Sequence, residues 1–379
     1  MTLHGMWKGW SFMVNNKQRK IVLGFLAIAV VILIILLITQ TGRKQEDDTV
    51  KIGFILSGSI SEEGWNGMHY ESAVKACQQL DAELLVKENV KEFTGECEIA
   101  IRELIQDGAK MIILSSYGYS EEVLDVVREY PDIVFYGNSS EYHEDNMTSY
   151  FVRMYQVRYL SGILAGMQTE TNKIGYVAAM ANNEVNRGIS AFALGVKRVN
   201  PEAEVIVAWT GSWDDEAKEI EAANCLIDFS GVDVLTYHQN QAYVVRAAEE
   251  KEIYSIAYHE VPQDVSDYCL TTVMCDWSKV YQEVIGEFLR GKVNSIENFW
   301  IGIEKDAVCL SEYSTMVSED AIKEIVKAQT EMHGGESVFS GVIYDREGNL
   351  RCAENEIISD EILLEKFDWY AEGVEFYEE

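Results

Sequence analysis

A chain of 379 residues, 47% hydrophobic and 25% charged, is large enough for two lobes with real cores plus appendages, and no large part of it has to be disordered. Its 63 acidic residues against 31 basic ones give a formal net charge of −32, which repels a polyphosphate backbone and excludes nucleic acid as a partner.

Residues 1–20 hold Lys8, Lys17, Arg19 and Lys20 and no acid, and they lead into a run over 21–39 that is apolar apart from Gly24 and Thr39. About 17 to 25 apolar residues span a bilayer as a helix, so the run is long enough for a transmembrane segment. The basic flank precedes it, and residues 40–49, a linker, turn acidic at Glu46, Asp47 and Asp48. The positive-inside rule therefore places the N-terminus in the cytoplasm and the acidic body outside the cell membrane. A cleaved signal peptide shares the basic start and apolar run. Against it, no A-x-A site follows and the first cysteine is Cys77, too late for a lipobox, so the expectation is an uncleaved single-pass signal anchor.

From Val50 onward short β-branched runs alternate with helical stretches, the signature of βαβ units and parallel sheets. The first series runs through VKIGFILSG, a helix from Trp65 to Leu80, AELLVKE, a helix from Glu96 to Gln106, KMIILSS, a helix from Ser120 to Glu129, and DIVFYGNSS. Near-continuous apolar runs such as MIIL and IVFY require burial on both faces. These elements form an N-terminal lobe over 50–170, closed by a helix from Met154 to Met167. The same order recurs in NKIGYVAAM, AEVIVAWTGSW, VDVLTYHQ, IYSIAYHE and LTTVMC with their intervening helices, giving a C-terminal lobe over 171–298. The segment 299–379 is expected to return to the N-terminal lobe through FWIGIEKDAVCLS, and a helix from Glu319 to Met332 and a hairpin turning at Glu347-Gly348 finish that lobe. The expected fold is thus α/β, two doubly wound lobes with a ligand cleft where their strand carboxyl ends converge.

Catalytic signatures are missing: there is no G-x-S-x-G, no H-E-x-x-H, no P-loop and no dinucleotide fingerprint. Neither the six histidines nor the seven cysteines show metal-ligand spacing, so no metal and no cofactor is expected, and the odd cysteine count leaves at least one free thiol. A bridge between Cys269 and Cys275 stays open at this stage. What the loops after the strands do contain is aromatic residues beside polar ones. Trp65 and Asn66 lie in SEEGWN and Tyr117 and Tyr119 in SSYGYS; the second lobe offers Trp213 and Asp214, His238 and Gln239, His259, and Asp276 with Trp277. A purine has two π faces for Trp or Tyr and ring edges with donors and acceptors for Asp, Asn or Gln. Each residue has a plainer reading as well: Trp65 and Trp213 suit a packed core, His238 and His259 structural hydrogen bonds, and Asp214 a helix cap.

The stretch NKIGYVAAMANNEVNRGISAFALGVKRVNPEAEVIVAWTGSWDDEAKEIEAANCLIDFSGVDVLTYHQNQ resembles the basic membrane protein family of ABC-transporter solute-binding proteins, especially its purine-binding branch. The likeness extends to YFVRMYQVRYLSGILAGM, VFSGVIYDREGNLR and FDWYAEGVE, over about Lys51 to Glu375. The resemblance implies a class I periplasmic-binding fold that holds a purine nucleoside or nucleobase between its lobes, performs no catalysis, and delivers the ligand to ABC importer permease subunits. It also implies that Trp65 stacks on the base with Asn66 beside it. The chain departs from the pattern at WDDE, which lacks a proline, at YHQNQ, where a Thr-Asp pair is usual, and at AYHE, where an aspartate usually follows. Asn240 and Glu260 are the substitutes there. A tethered sensory module of the same fold is the alternative reading. A nucleoside hydrolase would need an aspartate-rich loop around a metal or a poised acid and base, and none is found.

Overall fold

The computed structural model describes residues 28–32, 49–62, 64–140, 142–259, 261–292 and 298–378. Residues 1–49 and 50–379 form two separate units. Of the first, residues 28–32 and 49 are described, and 28–32 are helical; the rest of the expected signal anchor lies outside the described residues. Among the described residues no helix is long and apolar enough to cross a membrane.

Among the described residues the second unit contains two large sheets and a two-stranded one. Strands β1 (Lys51–Ile55), β2 (Glu83–Lys87), β3 (Met111–Leu114), β4 (Val134–Asn138), β5 (Met147–Val152) and β11 (Phe299–Ile301) make a six-stranded sheet in the order β11-β5-β4-β3-β1-β2. Every pairing in it is parallel. Strands β6 (Lys173–Ala178), β7 (Glu204–Trp209), β8 (Val234–His238), β9 (Tyr254–His259), β10 (Cys269–Cys275), β12 (Val308–Leu310) and β15 (Val374–Phe376) make a seven-stranded sheet in the order β12-β10-β9-β8-β6-β7-β15. Only β12 runs antiparallel in it. Of the two runs expected to be buried on both faces, MIIL of β3 is buried at every position, whereas in IVFY Val134, at the start of β4, is half-buried.

The ends of the lobes differ from the sequence reading. The helix Met154–Gln168 packs on the helix Asn183–Val199 of the second lobe, so the first crossing falls at Arg153. The helix Trp277–Leu289 crosses back and packs on the helix Trp65–Gln79 of the first lobe. β11 joins the first sheet as expected, yet β12, nine residues later in the same FWIGIEKDAVCLS run, pairs with β10 in the second. The C-terminal segment also belongs to the second lobe. The hairpin of β13 (Ile343–Tyr344) and β14 (Leu350–Cys352) forms its own small sheet, β15 extends the second sheet beside β7, and Asn186 and Arg187 donate to the carbonyls of Phe367 and Leu363. Periodicity identifies such short strands but carries no information about which sheet edge receives them. The three crossings lie side by side: Arg153 N donates to Ile301 O at 2.7 Å, Ile303 N to the Gln156 side chain at 2.8 Å, and Asp276 N to Ala307 O at 2.8 Å.

All seven cysteines are free thiols. Cys269 and Cys275 are the two ends of β10, and six residues of extended strand separate their Cα atoms by about 20 Å, far beyond disulfide reach.

The two helices behind the second sheet meet through glycines. A Cβ on Gly162 would lie 2.0 Å from Phe192 O, and one on Gly195 would lie 2.0 Å from Tyr159 O. Neither contact is with a side chain that could turn away, so relief requires the helices to separate. Gly162→Ala is expected to destabilise the protein by about 1–3 kcal/mol, read as a lower melting temperature by circular dichroism.

Candidate functional site

Parallel strands deliver their carboxyl ends to one edge of each sheet, and the two edges face each other. Between them lies a pocket, partly open to solvent, that is lined by residues of both lobes. Its first wall comes from Ser57 after β1, Trp65 at the start of its helix, Ser116 and Tyr117 after β3, and Asn138 at the end of β4. The second wall comes from Glu184 in the first turn of the Asn183–Val199 helix, Trp213 after β7, His238, Gln239 and Asn240 at the end of β8, and His259 at the end of β9.

Trp65 is half-buried and held from behind. Its indole N–H donates to Ser115 O at 3.1 Å, and its ring lies 4.0 Å from that of His69, one turn further along the helix. His69 is in turn 4.1 Å from the Trp277 ring, and its Nδ1 is hydrogen-bonded to the Tyr281 hydroxyl. Burial holds the His69 pKa well below its ordinary value, so this ring is a neutral spacer between two indoles. Across the cleft, His259 meets Trp65 edge-on at 4.9 Å. It does so from a left-handed backbone, φ 71°, a strained conformation for a residue with a Cβ.

Trp213 is oriented by the amide of Gln239. With its nitrogen toward the carbonyls, that amide donates to Ser212 O at 2.7 Å and Trp213 O at 3.2 Å, while its oxygen accepts from Thr210 Oγ1 at 2.9 Å. Asn240 N also donates to Trp213 O, at 2.9 Å. His238 Nε2 lies 3.2 Å from Glu184 Oε1 and 3.2 Å from the Tyr258 hydroxyl. Burial, against the pull of Glu184, keeps His238 below its ordinary pKa; His259 is lowered further by burial and by neighbouring His238 and Arg158. The cavity thus presents neutral imidazoles. Glu184 keeps its charge: burial opposes ionisation, but the hydrogen bond to His238 and the charges of Arg187 and Arg158 outweigh it.

Of the residues singled out in the sequence, Trp65, Tyr117, Trp213, His238, Gln239 and His259 come together in the lining. Asn66 lies one layer back, fully buried, where its amide donates to Glu62 and accepts from Ser57. Tyr119 points into the core and donates its hydroxyl to Val90 O at 2.6 Å, because it opens the short helix Tyr119–Glu122 rather than extending the loop. Asp214 is exposed; the cap of the next helix is Asp215, which accepts from Lys218 N. Asp276 caps the helix Trp277–Leu289, and Trp277, wholly buried, backs the His69 ring. Glu260 lies outside the described residues. Sequence reasoning missed Ser57, Ser116, Asn138 and Glu184. For the first three, a position at or just past a strand carboxyl end was the available signal; Glu184 stands in the first turn of the helix after β6.

The lobes touch at the mouth of the cleft. Gln241 Nε2 donates to Glu62 Oε1 at 3.2 Å, and Gly64 runs so close to the second lobe that a Cβ there would sit 2.4 Å from Asn240 O.

Two lobes built on parallel strands that meet around a pocket lined by aromatic rings, neutral hydrogen-bonding groups and one carboxylate have the architecture of a protein that binds a small molecule in its cleft. The chain belongs to the PnrA-like family of ABC transporter substrate-binding proteins, whose model matches residues 49–339. Members of that family bind solutes and are not enzymes. The chain is 29% identical over 338 residues to a purine-binding protein of Brucella abortus, covering 88% of this chain and 95% of the relative. It is 31% identical over 339 residues to the putative ABC transporter glucose-binding protein TsgA13 of Haloferax volcanii, covering 89% and 83% respectively. Among solved structures, an ABC transporter solute-binding protein of Aeropyrum pernix shares the fold with a TM-score of 0.65 at 16% identity, over 78% of this chain and 93% of that one.

Two outcomes test this geometry. Gly64 has φ 96° and ψ −135°, a conformation reserved for glycine, so Gly64→Ala combines strain with a collision against Asn240 O. Closure is expected to cost about 1–3 kcal/mol more, weakening ligand binding roughly 5- to 150-fold and leaving the ligand-bound radius of gyration in small-angle scattering near the ligand-free value. Behind the Trp213 loop, Glu219 is buried and its carboxyl is pushed up to about 8 by burial, with Asp214, Asp215 and Glu216 adding to the effect. The folded chain therefore keeps a proton that the unfolded chain releases above pH 4.5, the ordinary value. Stability from this group falls as pH rises, by at most about 1.4 kcal/mol per pH unit, until the folded form ionises as well. Glu219→Gln is expected to flatten the denaturation midpoint against pH across that window.

Proposed function

We propose that the protein captures a purine nucleoside or nucleobase between its lobes and delivers it to the permease subunits of an ABC importer, held at the outer face of the cell membrane by residues 21–39. The observation that carries this reading is that Trp65 from one lobe and Trp213 from the other line a single cavity with Tyr117, while Asn138, His238 and Asn240 supply hydrogen-bonding groups around them. Closure of the lobes brings an indole from each side toward one flat ligand, and each stacked base face is worth about 1–3 kcal/mol. The Asn138 side chain is buried in the lining, where its amide can meet a ring edge. The purine-binding relative supports the same ligand class. The glucose-binding name of the second relative makes hexoses the proper comparison, since a sugar also lies against tryptophan.

A thermal-shift panel separates the two. Purines or their nucleosides at a hundredfold excess over Kd are expected to add about 2.7 kcal/mol of stability, and hexoses to add none; a shift with glucose alone contradicts the proposal. Trp65→Ala is expected to weaken purine binding about 5- to 150-fold by calorimetry. It also lowers the melting temperature of the ligand-free protein, because the same ring covers His69. Unchanged affinity would remove Trp65 from the site.

The tether has its own test. N-terminal sequencing of the protein recovered from membranes is expected to read from the native start, whereas a mature start beyond Thr39 would show cleavage.

A further inference from the structure

Glu184 is the one residue with an acidic or permanently charged side chain among the described residues lining the cavity. It stands in the first turn of a helix whose N-cap is Asn182, where the helix dipole favours an anion, and its side chain is 11% exposed. The charges that hold it ionised do so without occupying it. Arg158 donates to Tyr237 O at 2.8 Å and lies 3.8 Å over the Tyr258 ring; Arg187 donates to Leu363 O and lies 5.0 Å over the Trp300 ring. His238 takes Oε1. An ionised carboxylate has about four acceptor sites and no donor, so most of its capacity faces the cavity.

This asymmetry constrains the ligand. A phosphate would enter beside a fixed negative charge with no lysine or arginine among the described lining residues to receive it. A carboxylate is satisfied by two neighbouring donors, and an acceptor beside a donor repels its second oxygen. Resting on the purine reading above, we propose that Glu184 sets specificity: it accepts from a pair of adjacent neutral donors on the ligand and bars phosphorylated forms. Such a pair has two sources in a purine nucleoside, the N1–H and N2–H edge of guanine or the 2′,3′-diol of ribose. Adenine, with a ring acceptor next to its amino group, offers no such edge.

Calorimetry on the full chain tests this with guanine, guanosine, adenosine, 2′,3′-dideoxyadenosine, 1-methylguanosine and guanosine monophosphate. If the ring edge is the source, guanine and guanosine bind alike, and adenosine and 1-methylguanosine are weaker by at least about tenfold. If the diol is the source, guanosine and adenosine bind alike and the dideoxy form loses about as much. In both cases the monophosphate binds at least about a hundredfold more weakly than its nucleoside, and Glu184→Gln loses about 10- to 100-fold for the matching ligand while ligands without the pair keep their affinity. The ligand-side comparisons on the wild-type protein need no variant, so a misfolded Glu184→Gln does not stall the test. Equal binding of nucleoside and monophosphate, or a folded Glu184→Gln that binds every purine as the wild type does, overturns the role of Glu184 and leaves the purine reading standing. A wild-type protein that binds no purine overturns the purine reading itself, and this inference with it.

Discussion

In a parallel sheet every strand ends at the same edge, and the cleft of this protein depends on that constraint. β1, β3 and β4 in one lobe and β8 and β9 in the other release their chains toward a common space, and ten of the eleven described residues lining it lie at or just past those ends, begin the next helix or belong to the equivalent turn after β7. The remaining one, Glu184, comes from the helix that follows β6. The central pair β1 and β3 marks the point where strand order reverses in the first sheet, which is where an open α/β sheet leaves a crevice. Three crossings near Arg153, Asp276 and Gly302 then let one chain build two such crevices face to face.

The site that results is braced rather than merely lined. Behind Trp65 lies a sequence of contacts from His69 through Tyr281 to Tyr150, whose hydroxyl is 3.3 Å from that of Tyr281 and also reaches Leu114 O. These residues come from the helices Trp65–Gln79 and Trp277–Leu289 and from β5, so the Trp65 ring is fixed by the crossing helix as well as by its own. On the opposite wall Gln239 does the same for Trp213. Burial keeps the histidines neutral, and two fully buried arginines stabilise the carboxylate of Glu184 from a distance, so a protein with a net charge of −32 presents a single acidic group among the described residues lining its cleft.

Much of this was legible in the residues. The alternation of β-branched runs and helices gave both lobes, and aromatic residues after strands pointed to Trp65, Tyr117 and Trp213. What escaped was whatever local pattern does not encode. MTSYFV of β5 is a short strand with no turn residue to mark its end, and the partners of β12 and β15 depend on the twist of a distant sheet edge. Tyr119 and Tyr117 look alike in SSYGYS, yet a helix begins between them and turns one ring inward. Glu184 reads as an ordinary first-turn acid until the fold sets it against His238.

The central claim is that the chamber holds a neutral purine, and the most direct measurement is mass spectrometry of whatever small molecule leaves the protein when it is denatured after purification without added ligand. A purine nucleobase or nucleoside in near-stoichiometric amount is the predicted result. A hexose, an amino acid or a phosphorylated nucleotide in its place would contradict it.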